Sequence, residues 1–229
     1  MPETIELSGL PLHINGSFGL KDDRRDFKWL ADDNREDQAA QWNELMVSEV
    51  LNTVLVQLLA FAKQLVESKD ADLSIREFYY LLPCLQNMSR NWREKHLRSF
   101  FDNLLHEDLI FTVNRTWTKI SGVLLTNRID ACITAHCKDE QAAQFLRQTV
   151  HSCFDQSLLA DSEIPGHVIQ LYDEVNKQSK QANQLRHVDN EMVCQALRER
   201  NVNLSSNQKC ALLDFLIISL ESLSSLKQL

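Results

Sequence analysis

Apolar residues recur every three or four positions from residue 38 to residue 68. Trp42, Met46, Val50, Val54, Leu58 and Leu65 follow one face at close to the 3.6-residue helical period. Leu45, Leu51, Leu55, Leu59 and Phe61 widen that stripe, so the spacing predicts a long central helix buried on more than one side. Shorter faces follow. Ser74-Ile75-Arg76-Glu77 carries the hydroxyl and carboxylate of a capping box, and leads into Phe78, Leu81 and Leu82 before Pro83 ends the helix. Trp92, Leu97, Phe100, Phe101, Leu104 and Leu105 mark a helix over about 90–106. Beyond Lys138 the pattern is helical almost to the end. One helix over 139–158 turns Phe145, Leu146, Val150 and Phe154 inward. The chain restarts at Ile164-Pro165-Gly166, with Val168, Leu171, Tyr172 and Val175 on the next face. Asp189 or Asn190 caps a helix with Val193, Ala196 and Leu197 inward, and Ser205 or Ser206 caps a last one with Leu212, Leu213, Phe215, Leu216 and Ile217 inward.

Two segments alternate instead. Leu10, Leu12 and Ile14, then Phe18 and Leu20, flank Asn15-Gly16, whose residues favour the positive φ pair of a tight turn. Residues 109–120, LIFTVNRTWTKI, are rich in β-branched and aromatic side chains and turn near Asn114-Arg115. The fold class is therefore α+β, predominantly α-helical, with two small β-hairpins near 10–20 and 109–120. Residues 1–37 read as a hairpin and a charged loop, residues 38–229 as a mainly helical region, and the whole as one compact unit.

Composition narrows the function classes. Of 229 residues, 24 are Lys or Arg and 32 are Asp or Glu, a net charge of −8 that argues against a nucleic-acid or anionic-membrane surface. No run of about 18 apolar residues occurs, so no membrane span is expected. The acidic start, Met1-Pro2-Glu3-Thr4, has no apolar h-region, and six scattered cysteines suggest reduced thiols, which together imply a cytoplasmic protein. Four N-x-Ser/Thr sequons, beginning at Asn15, Asn87, Asn114 and Asn203, are then chance.

Candidate chemistry is sparse. The five glycines at 9, 16, 19, 122 and 166 are too dispersed to cradle a phosphate, and neither nucleotide-binding glycine motif occurs. Cys132, His136, Cys137, His151 and Cys153 offer thiolate and imidazole ligands for zinc, at no standard spacing; burial of Cys153 beside Phe154 as a small hydrophobe is the competing reading. No motif identifies a nucleophile with its base, so no enzyme activity, catalytic residue, metal or cofactor is assigned. Arg24-Arg25 is the exception worth marking. Two guanidiniums suit bidentate contact with a phosphate or carboxylate, or they brace the loop by pairing with Asp22, Asp23 or Asp26, which is the commoner fate of loop charges.

Residues 10–29, LPLHINGSFGLKDDRRDFKW, resemble a repeated segment of the sacsin family, with Leu10, Pro11, Asn15, Gly16, Phe18, Leu20, Arg24, Arg25 and Trp29 on its pattern. Trp42-Asn43, Phe78-Tyr79 with Leu82-Pro83, Leu109-Ile110-Phe111 with Trp117, Pro165 with His167-Val168, and Leu204-Ser205 with Leu212-Leu213 follow in the family's order. The resemblance implies a non-catalytic segment of a sacsin-like chaperone or co-chaperone, acting in protein folding and quality control through protein contacts. It places ATP on an absent upstream ATPase module of the heat-shock-ninety type, with Arg24 or Arg25 as the candidate contact to that module. The implied partners are that module, a heat-shock-seventy-type chaperone system or client proteins. A stand-alone adaptor that binds a client helix, and a Cys/His metal-dependent enzyme, are the alternatives.

Overall fold

A computed structural model describes residues 8–12, 14, 16–22, 26–30, 36–68, 72–104, 106–161, 164–178, 186–199 and 202–226. The chain divides into two units, Met1–Leu109 with Glu163–Gln184, and Ile110–Ser162 with Leu185–Leu229. Neither bound falls at the composition break near residue 37. The described elements in chain order begin with α1 (Gln38–Leu45), a π-helical segment (Met46–Leu51), α2 (Asn52–Ser68), α3 (Ile75–Tyr79) and α4 (Arg90–Leu104). They continue with β1 (Ile110–Phe111), β2 (Trp117–Thr118), β3 (Leu124–Leu125), α5 (Asn127–His136), α6 (Glu140–His151) and α7 (Gly166–Gln178). The last are β4 (Arg186–His187), α8 (Asn190–Glu199) and α9 (Ser206–Leu226). The fold is α+β and mainly helical, as the periodicity predicts.

The first unit is built on one continuous helix, Gln38–Ser68. Asp37 starts it by accepting from the amides of Ala39 and Ala40 at 2.9 and 3.1 Å. The π-helical segment inserts an extra residue and so shifts the helix faces. Buried positions step through Asn43, Val47, Asn52, Leu55, Leu59 and Ala62, and the five-residue step from Val47 to Asn52 spans the insertion. This overturns the expected inward face. Trp42, Val50 and Val54 are 45–52% exposed, and Met46, Leu58 and Leu65 are half-buried. The helix carries two apolar stripes, and α4 packs on the π-helical segment and on α2. By length and composition this helix is also apolar enough to cross a membrane, its polar interruptions being mostly Asn, Thr and Gln rather than charges.

Against it lies α4, with Trp92, His96, Leu97, Phe100 and Leu104 buried, and α7 adds Val168, Leu171 and Tyr172. The Ser74 capping box forms as expected: the Glu77 amide donates to Ser74 Oγ at 3.2 Å and the Ser74 amide to Glu77 Oε2 at 2.8 Å. Phe78, Tyr79 and Leu82 are buried behind it.

The first hairpin falls later than expected. Among the described residues of 10–20 there is no ladder, and His13 and Asn15 lie outside them. The antiparallel bridge is Leu20 with Phe27, with the Lys28 amide donating to the Gly19 carbonyl and the Lys21 amide to that of Asp26, each at 2.9 Å. The segment before it is held by other means: Ser8 bridges Met88, and Gly9 adopts φ +71° where a Cβ would meet the Cys84 carbonyl at 2.7 Å.

In the second unit the expected hairpin is present. Ile110 pairs with Thr118 and Phe111 with Trp117, and Arg115 takes φ +58° in the turn. The other small sheet is parallel, Leu124 with Arg186 and Leu125 with His187. Around it, Ile129, Ile133, Leu146, Val150, Leu159, Val193, Leu212 and Phe215 form one core. Helix α5 lies where no helix was expected. Helix α6 stops at His151 rather than near 158, with Phe154 buried from the turn that follows and Phe145 exposed. Asp189 and Ser205 are the caps chosen, through the amides of Met192 at 2.8 Å and Gln208 at 3.3 Å. On α9, Leu212, Phe215 and Leu216 are buried, whereas Leu213 and Ile217 face outward.

Candidate functional site

The most elaborate polar arrangement in the first unit surrounds Asn43. Its side-chain oxygen accepts from the Gly19 amide at 2.7 Å. Its amide group donates to the carbonyls of Gly19 at 2.7 Å and Lys28 at 2.8 Å. One buried side chain thus does for Gly19 what a neighbouring strand would do, supplying both an acceptor and a donor. Beside it the Trp42 indole donates to the Ser17 carbonyl at 2.7 Å, and the Lys28 ammonium lies 3.5 Å from Asp37. A Cβ on Gly19 would meet that of Ala39 at 2.7 Å, so the strand can lie this close to α1 only as glycine.

Aromatic rings continue inward from this strap. Phe18 stacks on Phe27 at 4.6 Å, Phe27 meets Trp29 and Trp92, and Trp92 meets His96, which stacks on Phe100 at 5.2 Å. His96 is fully buried, and neither ring nitrogen meets a partner in good hydrogen-bond geometry. The Val47 carbonyl, in the π-helical segment, favours the protonated ring, but burial outweighs it and lowers the pKa from 6.5 to about 4. This network organises the N-terminal motif residues against the long helix; it holds no nucleophile.

Arg24 and Arg25 lie outside the described residues. In the sequence they fall between Leu20 and Phe27, which form an antiparallel bridge, and between Lys21 and Asp26, which form an ion pair at 3.3 Å.

The cysteines and histidines considered for a metal occupy separate settings. His136 packs edge-on against Phe215 at 5.5 Å, and His151 lies 3.4 Å from Asp130. Cys153 is buried with its thiol directed at the Thr149 carbonyl at 3.4 Å, Cys137 is half-buried, and Cys132 is exposed. Burial pushes the Cys137 and Cys153 thiols up, keeping them protonated. Among the described residues, no three His, Cys, Asp or Glu side chains converge on one point.

Each unit has an open cleft. In the first, about 750 Å³ is lined by Leu10, Pro11, Leu12, Leu82 and a stacked pair, Tyr80 and His167, at 5.4 Å. In the second, about 960 Å³ is lined by Arg128, Cys132, Glu191, Cys194 and Arg198. The prominent exposed feature is apolar: Trp42, Leu45, Val50, Val54 and Phe61 on the long helix are 45–56% exposed.

His96 escaped the sequence reading. Asn43 was legible there as part of the Trp42-Asn43 motif, a signal that names no partner.

Over 119 residues this chain is 34% identical to human sacsin. About half of the chain is thus similar to a part of sacsin. The match covers 51% of this chain and 3% of sacsin, so the chain spans a small fraction of that relative's length. No family model matches the chain, and no solved structure matches it.

Proposed function

We propose that this chain is a non-catalytic segment of a sacsin-like chaperone or co-chaperone, working in the cytoplasm in protein folding and quality control through protein–protein contacts. The observation that carries the reading is the 34% identity to human sacsin across half the chain. The packing is consistent with a binding role: the buried polar groups of the first unit brace a strap rather than convert a substrate, and apolar side chains remain exposed on the long helix. In this reading ATP belongs to a separate module of the heat-shock-ninety type, and Arg24 or Arg25 contacts that module. Its other partners are a heat-shock-seventy-type chaperone system or client proteins, not nucleic acid or membrane.

Calorimetric titration of the purified chain with ATP and magnesium tests it. No heat of binding is expected, and a saturating micromolar signal would overturn the reading. A second measurement follows light scattering of a heat-unfolded model enzyme. The chain, alone or with a heat-shock-seventy system, is expected to slow its aggregation. No effect in either arm counts against the chaperone role.

A further inference from the structure

The outward stripe of the helix Gln38–Ser68 has features of an interface rather than of a solvated surface. Only four of its 31 residues are charged, Glu44, Glu49, Lys63 and Glu67. Glu44 is held by Lys95 at 2.6 Å, and Lys63 donates to the Asp108 carbonyl at 3.0 Å. The exposed positions are otherwise neutral, with Trp42, Leu45, Val50, Val54 and Phe61 projecting between Thr53, Gln57 and Gln64. The π-helical insertion creates this stripe. A five-residue step brings Leu45 into line with Val50, where an unbroken α-helix would present Glu49 in the same row. Trp42 is already fixed by its bond to the Ser17 carbonyl, so little side-chain freedom remains to be lost on docking.

The spacing of the stripe points to its occupant. Trp42 and Phe61, Leu45 and Leu58, and Val50 and Val54 are placed almost symmetrically about residues 51 and 52. A two-fold axis there would set Trp42 against the partner's Phe61, Leu45 against the partner's Leu58, and Val50 against the partner's Val54. Self-complementarity of this kind is what an isologous interface requires. Five half-exposed apolar side chains, with Met46, Leu58 and Leu65 at the margins, present roughly 500 Å² per copy, so a pair buries about 1,000 Å², the lower bound of a specific interface. A lipid surface fits less well. The exposed charges on this helix are Glu49 and Glu67, and surface-bound helices draw on Lys and Arg.

We infer that the intact chain forms an antiparallel homodimer through Trp42, Leu45, Val50, Val54, Leu58 and Phe61. This pairing does not depend on the sacsin-like reading.

Analytical ultracentrifugation of the intact chain at about 100 μM, a concentration at which even a weak specific interface assembles, is the first measurement. A dimer mass is expected for the native chain and for Leu213→Glu, which places its charge on α9. Val54→Glu, at an exposed site, is expected to keep its far-UV circular dichroism and sediment as a monomer. Mixing Val54→Glu with Val50→Lys is expected to restore the dimer, because antiparallel pairing sets the new Glu against the new Lys. Should Val54→Glu lose its helical signal, Phe61→Ser is read in its place, with at least tenfold weaker association expected. A monomeric native chain, a dimer abolished by Leu213→Glu and not by Val54→Glu, or a monomer that floats with phosphatidylcholine vesicles would each overturn the inference.

Discussion

The two units bury their polar groups in different ways. Among the described residues, the first buries Asn43, Asn52 and His96, and the second buries Thr112, Thr126 and Thr149. Each threonine is satisfied locally. Thr112 bonds to Thr116 at 2.9 Å, Thr126 to Asp130 at 2.6 Å, and Thr149 to the Phe145 carbonyl at 2.8 Å. In the first unit Asn52 is also bonded within one turn, its amide group donating to the Ser48 carbonyl at 2.6 Å, but Asn43 reaches Gly19 and Lys28, 24 and 15 residues away. A polar group satisfied within one turn adds little information about the fold. One satisfied across the chain specifies which segments meet, and it fails expensively, because several buried partners lose their bonds at once.

Four substitutions test that contrast, and the largest effect is expected at Trp92. It is fully buried and touches Phe27, Trp29 and His96, so Trp92→Ala should cost about 3–5 kcal/mol in urea unfolding. Of the four tryptophans, only Trp117 belongs to the second unit. A Trp117→Phe background therefore makes fluorescence report the first unit alone.

His96 makes the first unit sensitive to acid. Its pKa is 6.5 when unfolded and about 4 when folded, so the unfolded state binds more protons between those values. Stability is intact above pH 6.5 and falls by about 3 kcal/mol as pH drops to 4, at 1.36 kcal/mol per unit. His96→Phe is expected to flatten this slope in melts taken from pH 7 to pH 4. A slope that survives the substitution would assign it to other groups.

Asn43→Leu removes three hydrogen bonds, from the Gly19 amide and from the Gly19 and Lys28 carbonyls, of which the Gly19 carbonyl keeps the Lys28 amide. A loss of about 2–3 kcal/mol is expected. Amide exchange at Gly19 should accelerate with it, which a purely apolar packing role for position 43 would not produce. In the second unit, Ser205→Ala removes the cap of α9 and should cost only about 1 kcal/mol, read from the thermal midpoint. A cap effect as large as that of Asn43 would erase the contrast.

Local signals carried much of the fold into the sequence. The Ser74 capping box, the caps at Asp189 and Ser205, and the 109–120 hairpin with its turn at Asn114-Arg115 all depend on residues within a few positions of one another. So does the mainly helical class. The inward face of the long helix does not. Its two apolar stripes are alike in periodicity, and the π-helical insertion changes the phase between them, so hydrophobicity has no means of choosing.

The candidate site divides the same way. Its motif residues Phe18, Leu20 and Trp29 stand out from their polar neighbours, and their resemblance to sacsin could be read directly. That Asn43 takes the place of a neighbouring strand for Gly19, and that His96 is stripped of water beside Phe100, depends on contacts between distant segments. Sequence alone determined most of the helices, their caps and the 109–120 hairpin, because propensity and short-range hydrogen bonding act within a turn, but not α5 or the position of the first hairpin. Only the tertiary structure decided which stripe of the helix was buried. That choice goes with the packing of α4 on the π-helical segment and α2, and with an amide whose partners lie far along the chain.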